Sequence, residues 1–164
     1  MKIDKKVVAS SRGDITLYSL TNAVGASVTL STVGAGITSI IVPDKDGNMA
    51  DVSLGYPNPE DFFYDGPCAG KVPGRFANRI ALGKLCVDGK DYQLAINNGP
   101  NHLHGGPEGF SHKNWNVELD GEAVVFSFHS PDGDENYPGN LDATVKYEWT
   151  DDCQLILTLG ATTD

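Results

Sequence analysis

Leu85-Cys86-Val87-Asp88-Gly89-Lys90-Asp91-Tyr92-Gln93-Leu94 sets an Asp-Gly pair between two short alternations of apolar and polar residues. Asp-Gly accepts the positive φ values that a two-residue primed turn demands, so the stretch reads as a β-hairpin. The same pattern continues in both directions. Upstream, residues 15–20, 26–31, 37–42 and 50–54 read as strands, with Asp46-Gly47 turning between the last two. Downstream, residues 115–119, 123–129, 141–149 and 154–160 read likewise, with turns at Asp120-Gly121 and Asp151-Asp152. Val124, Phe126 and Phe128 share one strand face, as do Val145, Tyr147 and Trp149. Pro59 to Phe63 fits one helical turn with Asn58 as its cap. No amphipathic helix of three turns is visible. Many short strands at regular spacing imply an all-β chain, an antiparallel sandwich or barrel, with residues 1–164 forming one domain and no linker or repeat.

Composition narrows the function classes. A formal net charge of -10 leaves no Lys/Arg stripe to neutralise phosphates, which argues against nucleic acid and anionic membrane surfaces. No apolar run approaches bilayer length. The charged start, Met1 to Lys6, does not read as a secretory signal. Cys68, Cys86 and Cys153 form an odd set without metal-ligand spacing, so a reducing cytoplasmic setting is expected.

Three segments carry the chemistry: Gly74-Arg75-Phe76-Ala77-Asn78-Arg79-Ile80; Asn97-Asn98-Gly99-Pro100-Asn101-His102-Leu103-His104-Gly105-Gly106; and Ser130-Pro131-Asp132-Gly133-Asp134-Glu135-Asn136-Tyr137-Pro138-Gly139. If the second were extended, His102 and His104 would face one side together. Its polarity reads as loop, not core. His-x-His with His112 and His129 raises a metal site, but no carboxylate or Cys stands at a supporting spacing, so none is expected. The Asp132 to Asn136 run fails the calcium-loop pattern, with Tyr137 at position six and Ala143 at position twelve. Residues 70–74 have the wrong order for a phosphate loop.

In that order and spacing, with Gly109-Phe110 and Lys113-Asn114-Trp115 between, the segments closely resemble the aldose 1-epimerases, or galactose mutarotases, from about Leu17 to Asp164. The resemblance implies a β-sandwich of the galactose mutarotase type, about twice this length, of which the chain would be the N-terminal part. It implies interconversion of the α and β anomers of a free hexose such as galactose or glucose, with no cofactor. A base takes the anomeric proton, an acid protonates the ring oxygen, and the opened sugar recloses.

The resemblance assigns substrate binding to His104, Asn78 and Arg79. The permanently charged guanidinium suits a developing oxyanion, and the amide suits hydroxyls. It leaves Arg75 structural and the 132–136 loop a scaffold, with Asn136 where glycine is usual. Asn tolerates the left-handed backbone required there. His102 would be an exposed loop residue or a supporting hydrogen-bond partner. The family's acid histidine and base glutamate are expected beyond residue 164, so no catalytic residue is assigned, and the chain alone is expected to be inactive. Its partners would be the aldose and the remaining half of the fold or a second copy, since 154–160 would otherwise expose an apolar edge. The alternative is a non-catalytic sugar-binding or regulatory module.

Overall fold

A computed structural model describes residues 1–164. Strands β1 (Lys2–Val8), β2 (Ile15–Thr21), β3 (Ser27–Ser31), β4 (Gly36–Pro43) and β5 (Met49–Asp51) form an antiparallel meander in sequence order. After them come β6 (Arg79–Ile80), β7 (Lys84–Val87), β8 (Lys90–Gln93) and β9 (His102–Leu103), where β6 pairs β9 and β7 pairs β8. Strands β10 (Asn116–Asp120), β11 (Ala123–Ser130), β12 (Leu141–Trp149) and β13 (Leu155–Thr163) make the second meander.

Alternation fixes which faces meet. Tyr18, Leu20, Val28 and Leu30 of the first sheet are buried in one cluster with Val124, Phe126, Val145, Tyr147 and Trp149 of the second. Each such side chain contributes about 1.5–3 kcal/mol when fully buried. Polar tips are satisfied across the gap: the Tyr147 hydroxyl donates to the Ala35 carbonyl at 2.7 Å, and Trp149 Nε1 to that of Ala26 at 3.2 Å. The result is the expected antiparallel sandwich.

The hairpin expected around Asp88-Gly89 is present. Val87 pairs Lys90, and Asp88 and Gly89 take φ of 51° and 78°. Asn58 caps the 3-10 turn Pro59–Phe63 by accepting from the Glu60 N–H.

The short pair β6–β9 was not expected from sequence, and two elements of the first sheet differ as well. Strand β1 was not expected, because its pattern is mostly exposed and charged; it is an edge strand, where lysines deter further pairing. The strand expected over 50–54 stops at Asp51, whose carboxylate accepts from the Ile40 and Ser53 N–H groups and both neighbouring serine hydroxyls. Strand β13 forms with its register along β12 intact, yet Ile156, Leu157 and Leu159 remain 44%, 45% and 66% exposed.

Candidate active site

The three motif segments contact one another. The first two meet backbone on backbone. A Cβ on Gly105 would lie 1.6 Å from the Gly74 carbonyl oxygen, and one on Gly74 would strike the Phe110 ring at 2.3 Å. Gly105 also takes φ +85°, a conformation costly for any side chain. Gly105→Ala is therefore expected to destabilise the fold by several kcal/mol, which a denaturant titration would register as a lowered midpoint at unchanged slope.

The third segment is held by Arg75. Its Nε donates to Ser130 Oγ at 2.9 Å, Nη1 to the Pro138 and Gly139 carbonyls, and Nη2 to those of Ser130 and Pro131. Burial pulls the guanidinium pKa down, while Asp134 and Asp132 oppose that shift. This is the structural role expected of it. Removing these charge-assisted bonds by Arg75→Ala is expected to cost about 3 kcal/mol or more, read as a lowered melting temperature. The loop it holds carries Asn136 at φ 67°, the left-handed backbone that Asn tolerates.

Of the two roles expected of His102, the structure shows the supporting hydrogen-bond partner and not the exposed loop residue. It is fully buried at 0% exposure and faces away from solvent. Its Nδ1 engages the Ala95 carbonyl at 2.8 Å and its Nε2 the Tyr137 hydroxyl at 2.7 Å. With Nδ1 donating to a carbonyl, Nε2 accepts and the Tyr137 hydroxyl donates; burial pushes that phenol up to about 12. Polar neighbours suggested a loop, but here the polar side chains satisfy one another inside. Nor do His102 and His104 share a face, because the backbone turns left-handed at His104 with φ 51°.

That turn aims His104 into a cleft of about 440 Å³ lined by Cys68, Asn97, Asn98, His104 and His112, among others. Strands β6 and β9 bring Asn78 beside it. The Asn78 N–H donates to His104 Nδ1 at 3.0 Å, and the His104 N–H returns a bond to the Asn78 carbonyl at 3.0 Å. With Nδ1 accepting, the proton of the neutral ring sits on Nε2, making that atom a donor. Arg79 stands alongside: its Nε donates to Asn98 Oδ1 at 2.8 Å and its Nη1 to Asn78 Oδ1 at 3.2 Å. Its remaining N–H groups have no protein partner. The three residues proposed from sequence thus form one connected patch, half-buried at His104 and exposed at Asn78 and Arg79.

Sequence reasoning missed the residues that hold this patch. Asn97 clamps the Leu103 backbone, accepting its N–H at 2.7 Å and donating to its carbonyl at 3.0 Å. Asn98 orients the Arg79 fork. The Asn-Asn-Gly-Pro turn was the available signal, since Asn side chains commonly bond nearby backbone. Cys68 and His112, far apart in sequence, gave none.

Comparisons with known proteins agree with this geometry. The family model described as aldose 1-epimerase matches residues 16–164. The aldose 1-epimerase of Escherichia coli K12 is 41% identical over 149 residues, covering 90% of this chain and 43% of the relative. The galactose mutarotase of Bos taurus is 48% identical over 114 residues, covering 70% of this chain and 33% of that protein. The crystal structure of the GalM/aldose epimerase homologue from C. elegans superposes with a TM-score of 0.86 at 34% identity, covering 98% of this chain and 47% of that one. The galactose 1-epimerase structure from Lactobacillus acidophilus NCFM gives 0.82 at 29% identity, covering 99% and 49%. The chain therefore spans less than half the length of these relatives. Matched along nearly all of its own length in sequence and in fold, the chain belongs to the aldose 1-epimerase family.

Proposed function

We propose that the protein interconverts the α and β anomers of a free aldose such as galactose or glucose, and that this chain supplies one wall of its sugar site. The observation that supports this most is the interlock of Asn78 with His104, which leaves Nε2–H of a cleft-lining residue as a donor and joins it through Asn78 to Arg79, whose guanidinium keeps N–H groups without a protein partner. Such an array suits a ring oxygen and hydroxyls on which negative charge develops as the ring opens.

On this reading the proton-transfer pair lies outside residues 1–164. The segment that carries it, or a second copy of the chain, covers the exposed leucines of β13. The three cysteines are unpaired in the structure, which fits a cytoplasmic setting. No helix is long and apolar enough to cross a membrane.

The test is a galactose titration of the labelled chain followed by NMR. Shifts should concentrate at Asn78, Arg79 and His104, and His104→Ala should abolish them. Shifts spread elsewhere, or unaffected by that substitution, would sink the assignment.

A further inference from the structure

Cys68 and His112 line the same cleft as His104, and the sugar reading uses neither. The Cys68 sulfur sits 3.2 Å from the buried Ser111 hydroxyl. His112 Nδ1 is fixed on the Phe63 carbonyl at 2.9 Å, which assigns its proton to that bond and leaves Nε2 as the basic nitrogen. The only other cation near this thiol is the buried Lys71, tied to Asp65. Thiol and imidazole therefore line one cleft, the sulfur on Ser111 and the imidazole of the next residue held on a carbonyl, a grouping of the kind that can activate a thiol.

We infer that Cys68 is an activated thiol and a modification site for low-molecular-weight disulfides entering the cleft. The Cys68 thiolate attacks one sulfur of the disulfide, a new S–S bond forms as the old one breaks, and the second sulfur leaves as a thiolate. His112 holds the proton that Cys68 gave up and returns it to the leaving sulfur. Cys68 is oxidised and the incoming disulfide is reduced. The protein's electrostatics agree: hydrogen bonding from His112, with a smaller contribution from Ser111 and Lys71, lowers the Cys68 pKa against the effect of burial. The His112 pKa rises in return, chiefly through the same interaction with Cys68. A substituent on this sulfur occupies the cleft that His104 lines. The inference rests on the thiol's own surroundings and stands whether or not the cleft takes a sugar.

Exposure alone favours the opposite order of reaction, because Cys86 is exposed whereas Cys68 and Cys153 are only partly so. The 164-residue chain would be treated at pH 7 with limiting oxidised glutathione, and each cysteine's modified fraction followed by peptide mass spectrometry. Cys68 is expected to react several-fold faster than Cys86, with His112→Gln removing that advantage. If Cys86 reacts first in the unsubstituted chain, the inference fails without recourse to any variant. If Cys68 leads and a folded His112→Gln chain keeps the same lead, activation by His112 is excluded and the inference is overturned.

Discussion

Lys71→Ala is expected to remove about 3–5 kcal/mol of stability, the cost of stranding a buried carboxylate without its partner. Lys71 and Asp65 form an ion pair in which both side chains have 0% exposure. The ammonium also donates to the Phe62 carbonyl, and the second carboxylate oxygen accepts the Ala69 N–H at 2.8 Å. The lysine stem packs against Gly34 and Gly36, where an added Cβ would meet it at 3.0 Å. The pair thus ties the segment leading into Gly74-Arg75 to the 3-10 turn at Pro59–Phe63 and to the start of β4. Urea unfolding should show the lowered midpoint. Replacing both partners together, as Lys71→Met with Asp65→Leu, should recover much of the loss, because no unpaired charge then remains. A loss below about 1 kcal/mol in Lys71→Ala would mean that the pair behaves as a solvated surface bridge.

His104→Ala and Arg79→Ala are expected to lower kcat by about 10²–10³ each, in a protein that carries this chain with the rest of the family fold. The magnitude is that of losing one preorganised donor to a developing oxyanion. Both residues donate from fixed positions, His104 through its tautomer and Arg79 through Asn98. Asn98→Ala should have a smaller effect, since it frees the guanidinium without deleting it. Steady-state mutarotation rates check all three. Unchanged kcat/KM in His104→Ala and Arg79→Ala would withdraw these residues from the site.

Much of this was legible in the sequence for identifiable reasons. Period-2 alternation in β11 and β12 reports burial on one face, and Asp88-Gly89 reports its own backbone angles. The three motifs were visible because glycines and Asn tolerate conformations and approaches that other residues do not. What escaped is long-range and polar. The edge strand β1 has no buried face to give it a pattern. His102 looked like a loop residue because its partners, Ala95 and Tyr137, are brought to it only by the fold. Lys71 sits in a Gly-Pro-rich turn that gives no hint of burial, and Cys68 and His112 come to one cleft only through the fold.

The most direct measurement follows the optical rotation of freshly dissolved α-D-galactose, first with this chain alone and then with the second half of the family fold supplied. With the chain alone the decay should be spontaneous, and it should accelerate once the fold is complete. Acceleration by the chain alone would mean that its own residues hold an acid–base pair. No acceleration in either case would leave a sugar-binding module in place of an epimerase.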